Sequence, residues 1–262
     1  MALVHDLRGN RRKHAKIQIE FWDLQTGRKM GSVEQTGTIQ LSMQFSQDGR
    51  QLRTWYRKKM SLWSVADQAL IGERHVETSP NLMFATSNRH WSIGIHNRNQ
   101  IELRDVHTGR LARTWYRPPG TIASVAFSPD TTKMAVSTAS VPATLYDFYR
   151  RPEKLSEKPH EELIESLGDE DPAVAFDSMC ELIHRGDKCV PDIRSALKGT
   201  ILPKKQFDIL PSNLTAYRSI EVLAAIGTPA ASELLKELAK PHDDPVAIEA
   251  RATLGITEKI LP

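Results

Sequence analysis

Two cysteines and a histidine share one short stretch of the chain. Cys180 and His184 stand four apart, a spacing that sets two side chains on one face of a helix, and Cys189 follows five residues later. Thiolate and imidazole are zinc ligands, so the three together suggest a metal site with an open fourth position. There is no Cys-x-x-Cys pair, however, and a second copy of the same helical pattern carries Glu221 and Ala225 at the matching places. The plainer assignment makes Cys180 a small core residue, His184 a boundary residue and Cys189 a loop cysteine, and no metal is expected. Asp169-Glu170-Asp171 offers carboxylates to a cation, but Pro172 follows, and a helix N-terminus wants acceptors and negative charge. Capping is the expectation there. Glu161, Glu162 and Glu165 read as a solvated helix face. The nine histidines form no His-Glu-x-x-His, no Gly-x-Ser-x-Gly turn occurs, and the closest glycines, Gly27 and Gly31, are four apart. No catalytic residue and no cofactor is expected. The chain is not read as an enzyme.

The elements around these residues follow from composition and repeats. Of 262 residues, 40% are hydrophobic and 26% charged, the balance of a globular chain. No apolar run reaches the roughly 18 residues of a membrane span, and residues 1–10 lack a signal-peptide pattern. Two cysteines exclude a disulfide scaffold and suit a reducing compartment, so a cytoplasmic location is expected. The net charge of +3 hides a split. Residues 1–150 hold 21 Lys/Arg against 12 Asp/Glu, a balance of +9, whereas residues 151–262 hold 14 against 20, a balance of −6. Two units with different surfaces are implied.

The first of them repeats. Ile19-Glu-Phe-Trp-Asp-Leu-Gln-Thr-Gly27, Met60-Ser-Leu-Trp-Ser-Val65, Ile101-Glu-Leu-Arg-Asp-Val-His-Thr-Gly109 and Ala143-Thr-Leu-Tyr-Asp-Phe148 align. Their anchors Trp22, Trp63, Arg104 and Tyr146 are spaced 41, 41 and 42 apart. Phe45-Ser-Gln-Asp-Gly49 and Phe127-Ser-Pro-Asp-Thr131 agree, at 82 residues, twice the period. Between anchors the pattern alternates and turns often enough for about four strands per unit, the mark of a propeller blade.

Trp22-Asp23 followed by Thr26-Gly27, with Ser124-Val-Ala-Phe-Ser-Pro-Asp130, resembles the blades of WD-repeat β-propellers over roughly residues 15–150. The chain departs from that family in having no Gly-His pair and in placing Lys16, Arg57, Arg98 and Ser140 where an Asp stands six before the anchor. The family's buried Asp–His–Ser–Trp network is therefore absent as a set, and apolar packing between sheets is expected to hold the blades.

Residues 150–159, polar with two prolines, read as a linker. Beyond them the period is helical, with starts marked at Asp171-Pro172, Pro191, Thr228-Pro229 and Asp244-Pro245. Ala175-Phe-Asp-Ser-Met-Cys-Glu-Leu-Ile-His-Arg-Gly186 repeats as Ala216-Tyr-Arg-Ser-Ile-Glu-Val-Leu-Ala-Ala-Ile-Gly227, again 41 apart. Such helix pairs are HEAT-like. The stretches Leu167–Ala175 and Ser219–Leu235 resemble the helical domain that follows propellers in some bacterial WD-repeat proteins. The expected architecture is multidomain β + α. Incomplete WD-type β-propeller blades occupy residues 15–149, a linker 150–159, and an all-α HEAT-like domain 160–262.

The blade resemblance brings one set of basic residues to a single rim: Arg57, Lys58, Lys59, Arg98, Tyr116 and Arg117. A basic rim with an aromatic suits an acidic protein partner. Neither nucleic acid nor membrane is expected, since a pI of 8.8 is modest and the helical half is acidic. The expected innermost strands, Thr38–Phe45, Leu82–Thr86 and Thr121–Phe127, carry no carboxylate or histidine for a central hydrolase site. The function expected is protein–protein interaction or scaffolding. The alternative is a regulatory or sensory fragment of a larger protein. Three whole repeats plus a remnant at Ile17–Val33 fall short of the about 4–8 blades of a closed ring. A truncated or split gene, or a second chain that completes the ring, would account for this. The purified chain is expected to self-associate or to require a partner in size-exclusion chromatography with light scattering. A compact monomer with a sharp melting transition would refute that.

Overall fold

The computed structural model describes residues 2–6, 15–37, 42–45, 51–56, 58–75, 82–85, 90–96, 100–106, 108–116, 120–128, 130–198, 211–240 and 245–254. Among them, strands form four antiparallel sheets, each a meander of consecutive strands, and helices follow. The first sheet is β1 (Ala2–Asp6), β2 (Ala15–Trp22) and β3 (Lys29–Gly37). The second is β4 (Ser42–Phe45), β5 (Gln51–Tyr56), β6 (Lys59–Ser64) and β7 (Ala69–His75). The third is β8 (Leu82–Ala85), β9 (Trp91–His96), β10 (Gln100–Asp105) and β11 (Leu111–Tyr116). The fourth is β12 (Ile122–Phe127), β13 (Lys133–Thr138) and β14 (Thr144–Asp147).

The 41-residue period is thus one sheet per repeat. Trp22, Trp63, Arg104 and Tyr146 lie on β2, β6, β10 and β14. The strand after each of the first three anchors carries a bulge at the same place. Met30, Ile71 and Ala112 are the extra residues, because Phe21 pairs Gly31 and Trp22 pairs Lys29, and likewise in the next two sheets. The turn between is also shared. The Asp23 carboxylate accepts from the amides of Gln25 (2.8 Å) and Thr26 (3.4 Å), and Gly27 closes the turn at φ +65°. Asp105 accepts from the Thr108 amide at 2.7 Å, with Gly109 at φ +72°. A left-handed residue is needed at both turns, which is why Thr-Gly recurs. The two amides hold the Asp23 carboxyl below its ordinary value. β1 lies ahead of the expected start at residue 15, pairing Ala2 with Phe21 through Asp6 with Ile17. Its residues, Ala-Leu-Val-His-Asp, are three apolar and then two polar, so no alternation marks the strand.

The chain divides into two compact units, residues 1–83 and 84–262, with the boundary inside β8. In the first unit, Ile19, Phe21 and Val33 of the first sheet pack against Leu52 and Trp63 of the second. Trp63 is buried, and its indole donates to Thr54 Oγ1 (3.1 Å), which donates to Gln35 Oε1 (2.9 Å). Trp22, at the same repeat position, does not pack in this manner. It is half-buried instead, on the face of β2 opposite Phe21, and donates to Glu20 Oε2 at 3.1 Å.

The second unit joins the third and fourth sheets to α1 (His160–Ser166), α2 (Pro172–Arg185), α3 (Val190–Leu197), α4 (Pro211–Ile226), α5 (Pro229–Leu238) and α6 (Pro245–Thr253). The prolines stand in the first turns as expected, and Gly186 and Gly227 follow α2 and α4 with φ of +62° and +65°. One apolar core runs through sheets and helices. At its centre Phe176 of α2 meets Trp91 edge-on at 5.1 Å and Phe148 at 5.7 Å. Segment 150–159 lies within this unit and is tied to α2. The Ser156 amide and hydroxyl donate to Glu181 Oε1 at 2.8 and 2.7 Å, and Arg185 Nη1 donates to the Lys158 carbonyl at 2.7 Å. These bonds, with the Arg185 guanidinium, outweigh the effect of burial and keep the Glu181 carboxyl below its ordinary value.

Trp63→Ala is expected to remove about 3–5 kcal/mol of stability, the usual loss for a buried tryptophan. Thermal denaturation of the variant checks it, and an unchanged melting temperature would refute the packing role.

Candidate functional site

Of the six rim residues, Arg57, Arg98 and Arg117 lie outside the described residues. Lys58 lies in the turn between β5 and β6 and Lys59 opens β6, both exposed, and Lys59 Nζ pairs with Glu73 Oε1 at 2.5 Å. Tyr116 is the last residue of β11. Within the described part of the rim, then, two lysines stand together, and Lys59 shares its charge with a neighbouring strand.

The Cys180–His184–Cys189 stretch is turned inward upon its own backbone. Both cysteines are buried, and burial pushes the thiols up, Cys180 to about 12 and Cys189 to about 11. Cys189 Sγ donates to the carbonyls of Gly186 (3.1 Å) and Leu182 (3.4 Å), and His184 Nδ1 lies 2.7 Å from the Cys180 carbonyl. Thiols that stay protonated are poor metal ligands. Among the described residues, no three His, Cys, Asp or Glu side chains converge as a metal site requires. Asp171 caps α2, accepting from the Ala173 amide at 2.9 Å, while Asp169 accepts from the Asp171 amide at 2.8 Å. Glu161 and Glu165 line a cavity of about 510 Å³ between α1, α3 and α4, together with Asp192, whose Oδ2 lies 2.7 Å from His160 Nδ1.

The densest chemistry lies elsewhere, where the third sheet meets α4 and α6. Arg218 and Asp105 are both wholly buried, and Arg218 Nη2 donates to Asp105 Oδ2 at 2.7 Å. The same guanidinium donates through Nη1 to the carbonyls of Leu167 (2.5 Å) and Asp169 (3.1 Å). One turn along α4, Glu221 Oε1 accepts from the Trp91 indole at 2.7 Å and from the Tyr149 hydroxyl. His90 Nε2 stands 3.2 Å from Glu249 Oε1 of α6, with its ring 5.7 Å from that of Tyr217. Burial pushes the Glu221 carboxyl up to about 7, against the pull of His90, Tyr149, Trp91 and Arg218. Eight polar or aromatic side chains thus knit sheet to helices.

Sequence reasoning assigned none of these eight to such a junction. The one signal was Arg218 and Glu221, three apart and the only charged residues of α4, an arrangement that calls for buried partners. Those partners lie up to 130 residues away and could not be named from the helix itself.

Comparison with protein-family models and with curated proteins finds no match for this chain.

The junction yields a pH prediction. The unfolded Glu221 carboxyl titrates near 4.5 and the folded one near 7. A raised acid favours the folded state fully below about pH 4.5, and that advantage is lost as pH rises through about 7. The difference corresponds to about 3 kcal/mol. Glu221→Gln keeps an acceptor for Trp91 and Tyr149 but has no charge to bury. Its melting temperature should fall less than that of the unaltered chain between pH 5 and pH 8. Parallel pH profiles would refute the assignment.

Proposed function

We propose that this chain is a non-enzymatic interaction protein, whose sheets are WD-type blades and whose helices form a HEAT-like module. The observation that carries the reading is the recurrence of one unit. The meander, the bulge after the anchor and, in the first and third sheets, the Asp-to-Thr-Gly turn return at a 41-residue period. Repeated sheets of this kind present loops on a stiff frame, and loops so held are where binding residues concentrate. The buried charges support the same reading, since Arg218, Asp105 and Glu221 are engaged in joining sheet to helix. The surface offered to a partner is the basic rim, with Lys58 exposed upon it, and the partner is an acidic protein.

Charge reversal at Arg57, Lys58 and Arg98 tests it. After capture from native lysate and identification by mass spectrometry, the partner should associate more slowly with the variant, by about tenfold or more at low salt. Its association rate should also depend less on ionic strength, because attraction of this range is screened over about 10 Å at 0.1 M salt. Unchanged rates with unchanged salt dependence would overturn the rim as the binding surface.

A further inference from the structure

The four sheets of this chain differ at one edge. In the first three, the anchor strand is followed by an antiparallel neighbour: β3 beside β2, β7 beside β6 and β11 beside β10. In the fourth, β14 is the last strand of its sheet, and among the described residues no further strand pairs with it. The residues after it turn away. Phe148 and Tyr149 are buried, and the segment beyond is bonded to α2.

The hydrogen-bond register says which groups this edge displays. The Phe148 amide donates to the Thr132 carbonyl at 2.9 Å, and β14 continues that ladder with Tyr146 opposite Met134 and Leu145 opposite Ala135. In an antiparallel pair the bonded and non-bonded positions alternate. Thr144 and Tyr146 therefore bond inward to β13, while Leu145 and Asp147 turn their amides and carbonyls to the open edge. The Leu145 side chain stands on a face of the sheet, and that face is open as well. Phe21, Leu62 and Leu103, at the same repeat position, are 1%, 3% and 0% exposed, whereas Leu145 is 66% exposed.

We propose that the edge of β14 is a strand-acceptor site, which binds an extended segment of another polypeptide as the fourth strand of the sheet. Adding a strand to an open edge is a general mode of peptide recognition, with affinity from main-chain bonds and selectivity from alternate side chains. The sibling sheets supply the specification of the occupant. It runs antiparallel to β14. Gly31, Gly72 and Arg113 stand opposite Phe21, Leu62 and Leu103, so the siblings prescribe no single residue type opposite Leu145. Lys29, Leu70 and Leu111 stand opposite Trp22, Trp63 and Arg104, so a long aliphatic chain belongs opposite Tyr146, with one bulged residue between. Beside this edge Lys133 and Asp147 pair across β13 and β14. The inference rests on the reading of an interaction protein and gives that reading a second surface.

The full-length chain with a synthetic peptide of its own residues 69–75 (Ala-Leu-Ile-Gly-Glu-Arg-His) as probe tests it. Amide exchange at Leu145 and Asp147 should slow at least tenfold at saturating peptide, with Thr144 and Tyr146 little changed. Leu145→Pro deletes an outward amide and no inward bond, so it should abolish binding measured by fluorescence anisotropy. Leu145→Ala keeps the amide and should bind within a few-fold of the unaltered chain, which guards against a misfolded proline variant. No slowing at Leu145 and Asp147, or equal binding by Leu145→Pro, would overturn the site. A lysate partner still captured through the rim would then leave the interaction reading standing.

Discussion

A guanidinium taken out of water has to be given back its hydrogen bonds, and in residues 84–262 that requirement falls on Arg218. Its three partners come from two places: Asp105 at the end of β10, and the carbonyls of Leu167 and Asp169 between α1 and α2. Removing one partner of a buried pair leaves a charge uncompensated, at about 3–5 kcal/mol. The sheet, the α1–α2 connection and α4 are therefore held in one arrangement by a single side chain. The apolar core is compatible with many small displacements of helix against sheet. The ionic contact is compatible with few. Its Nε has no partner among the described residues, so the guanidinium is served at two of its nitrogens.

Asp105 serves twice. One oxygen nucleates the turn to Gly109 by accepting from Thr108, and the other meets Arg218. Its counterpart Asp23 makes the same kind of turn but lies in a more open setting, without an arginine. A residue that the repeat places for a local reason has thus been given a long-range one in the third sheet alone. The same divergence shows at the anchors. Trp63 is buried with its indole bonded, Trp22 rests on a polar face beside Glu20, and Arg104 replaces the indole altogether. The Arg104 guanidinium reaches Glu102 at 2.9 Å and the Gly109 carbonyl at 3.2 Å.

What could be read from the residues was the periodic part. The sheets fall on the 41-residue spacing, and Asp171, Thr228 and the prolines open helices where their types demand it, because these signals act over one turn or one strand. The strand Ala2–Asp6 escaped because its three apolar and two polar residues do not alternate. The segment 150–159 has a linker's composition, yet Glu181 and Arg185 of α2 tie it down, and nothing within those ten residues announces it. The ionic junction escaped for a related reason. Arg218 and Asp105 are 113 residues apart, and each has an ordinary surface role when seen alone.

That separation has a consequence for how the molecule is made. Synthesis runs from the N-terminus, at about 5–20 residues per second. The third and fourth sheets leave the ribosome with Asp105, Trp91 and Tyr149 already in place, while Arg218 and Glu221 do not yet exist. For those seconds the Asp105 carboxylate lacks the Arg218 guanidinium that meets it in the folded unit. The sheets of this unit can form early, but their closing against the helices belongs to the end of translation. A ribosome stalled before residue 218 would therefore hold a nascent chain whose sheet flank lacks α4, and apolar surface left uncovered in this way is what chaperones recognise.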